Sequence, residues 1–205
     1  MKIILKPKKV RKLVLYCDIC CSTSILEVLL RSENIERWVK LLAIVKEYLR
    51  DEREIQGFEI YKFLGDGWIL LFEEDMSGHE LLLWLREFCK KYRSLFRKMI
   101  EPYLESKIEK IGISFGADIG TLITTQMLGK KEYIGRALNV AGRLQTAIKD
   151  KDSNPQNKIL MTKNLYSSIG TDEADEFAVT DVTRSLRNIS DGKNFQCKKI
   201  ALLPS

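Results

Sequence analysis

The spacing of apolar residues changes several times along the chain, and each change marks an element. Residues 12–19 (KLVLYCDI) are a short apolar run ending in a carboxylate, the pattern of a buried strand. Over 22–53 the residues Leu26, Leu29, Leu30, Trp38, Leu41, Leu42, Val45 and Leu49 recur in steps of three and four. That spacing predicts helical structure with one apolar face, and Gly57 interrupts it. Residues 58–63 (FEIYKF) and 68–73 (WILLFE) flank LGDG and predict a hairpin with Asp66 at its tip. Ser77 followed by Glu80 is a capping box, opening a helix that runs to about Ile100 before Pro102. Residues 109–117 and 119–127 predict two strands with Gly116 and Gly120 near their turn, and 135–148 a helix. A polar stretch follows at 149–158. Beyond it come a strand at 159–161, a helix started by Thr162, and strands near 176–183 and 195–203.

Strand pairs joined by tight turns alternate with helices. The expected fold is therefore α+β, a mixed and mostly antiparallel sheet with helices packed on it. At 205 residues, 45% of them hydrophobic and 30% charged, the chain has the balance of a globular protein, read here as a single domain over 1–205 with its core at about 12–203. No apolar run reaches about 18 residues, and the start MKIILKPKKV is too short in apolar residues for a secretory leader. A cytoplasmic protein without a membrane partner is expected. The net charge of +6 is spread along the chain, which suits a solvated surface or a polyanionic ligand. Five cysteines, with Cys17, Cys20 and Cys21 crowded at one strand end, and a single histidine, His79, do not make a zinc site.

Chemistry gathers at three places. Asp18 ends the first strand and Asp66 sits in the hairpin. If those strands are neighbours, two carboxylates and the backbone carbonyl of Ile19 make an oxygen-rich site for Mg²⁺ or Mn²⁺. Ser22 and Thr23 open the next helix, where free backbone N–H groups can cradle phosphate or simply be capped. Asn139 and Arg143 stand four apart on one helix face, an amide and a guanidinium on a single ridge.

In order and spacing, YCDICCST (16–23), YKFLGDGWILLF (61–72) and EYIGRALNVAGRL (132–144) resemble the signature segments of class III nucleotidyl cyclases. The resemblance covers roughly 12–203 and implies a ferredoxin-like cyclase domain. It implies an enzyme converting a nucleoside triphosphate to a 3′,5′-cyclic monophosphate and pyrophosphate with two divalent metal ions. Asp18, Ile19 and Asp66 would hold the metals, Asn139 would orient the ribose, and Arg143 would stabilise the transition state. The sites would form in a head-to-tail homodimer, with metals from one chain facing Asn139 and Arg143 of the other. Two departures stand out. Cys21 replaces the usual glycine, which strains the phosphate turn if φ is positive there. The family's late triphosphate-binding lysine has no clear counterpart; Arg187 and Lys193 are candidates.

The resemblance places Lys62 and Glu132 at the base-reading positions. Lysine only donates and ionised glutamate only accepts. The pair therefore suits a base edge with an acceptor beside an exocyclic amine, as in adenine or cytosine. The chain also looks like the stand-alone pyrimidine cyclases of bacterial Pycsar anti-phage systems. That implies cyclic CMP or cyclic UMP, made for a downstream cyclic-nucleotide-sensing effector; the alternative product is cyclic AMP. Two other readings remain: a non-catalytic nucleotide-binding module of the same fold, and a nucleic-acid-binding sheet. Asp18, Asp66, Asn139 and Arg143 argue against the first. The second needs stacking aromatics, which Tyr61, Phe63, Trp68 and Phe72 could mimic, but no stable nucleic-acid partner is expected.

Overall fold

The first strand organises the molecule. In the computed structural model, which describes residues 7–104, 108–168 and 176–204, β1 (Lys8–Ile19) pairs antiparallel with β3 (Gly67–Phe72) on one side and β4 (Ile113–Met127) on the other. Residues 1–6, where the leader reading began, lie outside the described residues. Period-two alternation gives β1 two destinations. Leu13, Leu15, Cys17 and Ile19 enter the large core under α1 (Ser22–Arg31), α2 (Ile35–Gln56) and α3 (Gly78–Met99). Val14 and Tyr16 face the opposite side, packing with residues of α4 (Arg136–Lys151), and Asp18 follows in the same alternation.

The sheet has eight strands in the order β2-β3-β1-β4-β6-β8-β7, with β5 paired to β4. Here β2 is Phe58–Phe63, β5 Lys130–Ile134, β6 Lys158–Thr162, β7 Ala178–Arg184 and β8 Phe195–Ala201. Among the described residues only the β4–β6 pair is parallel. The architecture is α+β, mostly antiparallel, as expected. Ser77 caps α3 by accepting from the Glu80 N–H at 3.4 Å, and the Thr162 hydroxyl accepts from the Leu165 N–H at 3.2 Å to open α5 (Lys163–Ser168). Among the described residues, no helix is long and apolar enough to cross a membrane.

Three local expectations are corrected. The apolar face of 22–53 belongs to two helices. At Ser32–Asn34 the chain turns, with Glu33 at φ 57° and the Asn34 N–H donating back to the Leu29 carbonyl at 2.8 Å. Leu30, expected on that face, is 55% exposed. The strands expected at 109–117 and 119–127 are one continuous strand, β4, and its hairpin partner is β5, joined by Leu128 (φ 51°) and Gly129 (φ 76°). Gly116 makes no turn. A Cβ there would lie 2.3 Å from the Ala141 carbonyl oxygen and 2.2 Å from the Gln145 nitrogen, so this glycine lets α4 lie directly on β4. Finally, α4 extends to Lys151, so Lys149 and Lys151 are helical.

Because the atoms facing Gly116 are helix backbone, they cannot step aside. Gly116→Ala is expected to lift α4 and destabilise the protein by about 3 kcal/mol, measured by urea unfolding. A change below about 0.5 kcal/mol would show that the helix seats itself without this contact.

Candidate active site

The hairpin between β2 and β3 brings Asp66 to Asp18. Gly65 takes φ 98°, and the Leu64 N–H closes the turn on the Gly67 carbonyl at 2.8 Å. Asp18 and Gly67 are paired across the strands, and the Ile19 N–H donates to the Asp66 carbonyl at 3.1 Å. A side chain on Gly67 would meet the Cys17 carbonyl oxygen at 2.3 Å and Asp18 Oδ1 at 3.2 Å. The glycine thus leaves room for the Asp18 carboxylate beside the hairpin. Burial pushes the Asp18 carboxyl above the usual range; Lys149 pulls it down and the neighbouring Asp66 pushes it up. Two like charges at this spacing call for a cation.

Ser22 is buried, and its hydroxyl donates to Asp66 Oδ2. That bond occupies the Ser22 hydroxyl with a carboxylate and leaves the backbone N–H groups of the first turn, on which the phosphate reading rests, unaffected. Thr23 is exposed in the first turn of α1. Cys21 precedes that helix in the left-handed region, φ 58° and ψ 21°, with no side-chain cap. A non-glycine residue there costs roughly 1 kcal/mol, so Cys21→Gly is expected to raise Tm by about 2–4 °C, read by differential scanning calorimetry. An unchanged or lower Tm would mean the thiol contributes packing that offsets the strain.

On α4, Asn139 and Arg143 are exposed along one ridge. With Tyr16, Leu138, Gly142, Asn188 and Ile189 they line an open cleft of about 390 Å³. Gly142 keeps the helix near the Tyr16 ring, at 3.2 Å for its would-be Cβ. Among the described residues, Arg143 has no hydrogen bond or ion pair, so its guanidinium is free for an anionic ligand. Arg187 is exposed in the β7–β8 connection, next in sequence to cleft-lining Asn188.

Lys62 of β2 and Glu132 of β5 meet as an ion pair at 2.9 Å. Tyr61 joins them, its hydroxyl donating to Glu132 Oε2 at 2.5 Å and accepting from the Tyr133 N–H at 3.1 Å. The Tyr61 hydrogen bond and then Lys62 hold the Glu132 carboxyl below its usual range. Burial, followed by the nearby Tyr61, raises the Tyr16 phenol, while Lys62 lowers it. Tyr16 lines the α4 cleft and feels the charge of Lys62.

Within one chain the structure forms two groups: Asp18, Asp66, Ser22 and Lys149 on one hand, and Lys62, Glu132, Asn139 and Arg143 around Tyr16 on the other. Among the described residues no hydrogen bond or ion pair links the two. Sequence reasoning missed Lys149, which sits in a stretch read as a polar loop, and Tyr61, whose ring reads as ordinary strand apolarity. Helical spacing from Gln145 to Lys149 was the available signal for the lysine.

The carboxylates suit a hard divalent ion. Asp18, Asp66 and the adjacent backbone offer oxygen donors, and Lys149 already shows that the site accepts positive charge. Among the described residues no group of three or more His, Cys, Asp or Glu side chains gathers for a metal, here or elsewhere, so this site offers two carboxylates. Two carboxylates with substrate phosphates completing the shell is the usual arrangement for Mg²⁺.

No family profile matches the chain, and no curated protein matches it. Solved structures do. The adenylyl cyclase CyaB from P. aeruginosa is 19% identical, with 98% of this chain and 97% of that one aligned at a TM-score of 0.73. The guanylyl cyclase Cya2 is 18% identical over 94% and 92% of the two chains, TM-score 0.70. Adenylate cyclases from Trypanosoma brucei, solved in their monomeric state, give 15% identity over 95% and 91%, TM-score 0.65.

Proposed function

From its class III nucleotidyl cyclase fold, we propose that this chain, one catalytic domain over about 12–203, converts a nucleoside triphosphate to a 3′,5′-cyclic monophosphate and pyrophosphate. The observation that carries the proposal is the meeting of Asp18 and Asp66 across Gly67. In the reaction the ribose 3′-hydroxyl gives its proton to solvent water, and its oxygen bonds to the α-phosphorus as the bond to pyrophosphate breaks. Two Mg²⁺ or Mn²⁺ ions, when bound, would favour the deprotonated hydroxyl and neutralise the triphosphate. Asp18, Asp66 and the Ile19 carbonyl would hold them. Arg143 places its guanidinium on the charge that grows at the α-phosphoryl group, and Asn139 fixes the ribose. Arg187 and the Thr23 end of α1, both exposed, would bind the triphosphate tail.

A head-to-tail homodimer, as the signature segments imply, would bring one chain's carboxylates to the other chain's Asn139 and Arg143. Exposed apolar residues lie on the elements that would meet, with Phe63 and Leu64 in the hairpin beside Asp66, and Ile123, Leu128 and Ile134 on the β4–β5 ribbon.

Lys62 donates and Glu132 accepts, which favours adenine or cytosine over guanine or uracil; a mismatched edge leaves a charged group unpaired, costing about 1–3 kcal/mol or more. The edge-on Tyr61–Tyr133 pair, with ring centroids 5.1 Å apart, backs Glu132. The product we propose is a cyclic pyrimidine nucleotide, cyclic CMP first, serving as a second messenger to a cyclic-nucleotide-sensing effector in cytoplasmic anti-phage defence. The test is to incubate the protein with Mn²⁺ and each of the four triphosphates separately and to identify products by mass. Cyclic CMP as the dominant product is expected. Dominant cyclic AMP would keep the cyclase and reject the pyrimidine, and no cyclic product from any triphosphate would reject both.

A further inference from the structure

The carboxylate pair carries its own cation. Lys149, from the last turns of α4, closes an ion pair on Asp18 Oδ2. This lysine is not a loose surface side chain that has drifted into contact. Four residues earlier on the same helix, Gln145 Nε2 donates to the Ser114 hydroxyl at 3.1 Å, and that hydroxyl donates to the Asp18 backbone carbonyl at 3.4 Å. Gly116 seats the helix backbone directly on β4 between them. The register of α4 against β1 is thus held from below, and it delivers the ammonium to Asp18. Side-chain exposures of 36% for Lys149 and 22% for Asp18 leave the pair open to solvent on one side, so the ammonium can leave without disturbing the core.

We infer that Lys149 is a tethered counter-ion of the metal site, occupying Asp18 until a divalent ion displaces it. This rests on the metal reading of Asp18 and Asp66. An ammonium has three donors and no acceptor, so it satisfies a carboxylate but cannot join a metal's ligand shell. Lysine and metal therefore compete for the same oxygen. The competition keeps the two carboxylates together when no metal is bound, and it weakens metal binding in the absence of nucleotide. A triphosphate reverses the balance, because its oxygens complete the metal shell and also accept the released ammonium.

The inference is tested by Mn²⁺ binding to the full chain without nucleotide, followed by the electron paramagnetic resonance signal of free Mn²⁺. Lys149→Met and Lys149→Gln are both expected to bind Mn²⁺ about three- to fivefold tighter than the wild type, the range an exposed ion pair can supply. Lys149→Arg, which keeps the charge, stays near the wild type. Asp18→Asn loses the binding. Unchanged or weaker Mn²⁺ affinity in both neutral variants, with Asp18→Asn still defective, overturns the counter-ion and leaves the metal site standing. Mn²⁺ binding that Asp18→Asn does not affect overturns the metal reading and this inference together.

Discussion

Asp66→Asn is expected to lower cyclic-nucleotide production by more than about a hundredfold while leaving the fold intact. The substitution is nearly isosteric. The amide oxygen still accepts from the Ser22 hydroxyl, and the backbone bond from the Ile19 N–H to the Asp66 carbonyl does not involve the side chain. The hairpin geometry rests on Gly65 and Gly67, which are untouched. What changes is charge: an anionic ligand becomes neutral, and a hard divalent ion loses one of the two carboxylates offered to it. Thermal unfolding within about 2 °C of the wild type, together with product below a hundredth of the wild-type rate by mass spectrometry, is the expected pair of results. Retention of more than about a tenth of the activity would remove Asp66 from the metal site. Asp66→Ala, by contrast, also deprives Ser22 of its acceptor, so a loss there would mix catalysis with packing.

The parts of this molecule visible in its sequence are those whose cause is local. The alternation of 12–19 needs only a sheet with two covered faces, and the strand observed, Lys8–Ile19, buries both. The hairpin around Asp66 follows from its two glycines, and the cap at Ser77 from two residues three apart. The errors come from causes that lie elsewhere in the chain. Gly116 looks like a turn because glycine is rare inside a strand; its reason is a helix some 25 residues later that presses backbone against it. The break at Ser32–Asn34 is hidden because apolar steps of three and four resume beyond it, leaving only a short polar run to mark it. Asp18, Asp66, Asn139 and Arg143 stood out as chemically distinctive in short segments. Lys149 did not, because a lysine in a run of lysines and aspartates reads as solvated surface until the sheet beneath is known.

The proposed sharing of each site between two chains leads to the second large effect. Arg143→Ala alone should be as inactive as Asp66→Asn if, as proposed, its guanidinium is the positive charge facing the α-phosphoryl group. Mixed in equal amounts after dissociation and reassociation, the two inactive proteins should recover about a quarter of wild-type activity. The figure follows from symmetry. Half of the randomly formed dimers are mixed, and a two-fold arrangement gives each of these one site with both residues intact and one with both replaced. The structure makes the exchange feasible: both substitutions lie on exposed or partly exposed side chains, and neither touches the buried contacts that seat α4 on β4. The control is a mixture of Asp18→Asn with Asp66→Asn, two changes in the same group of residues, which should stay inactive because every site in every dimer lacks a carboxylate. Recovery in the first mixture and none in the second assigns the site to two chains. No recovery in either, with size-exclusion chromatography showing that mixed dimers formed, would place Arg143 and Asp66 of one chain in a single site and require α4 to move toward the hairpin when nucleotide binds.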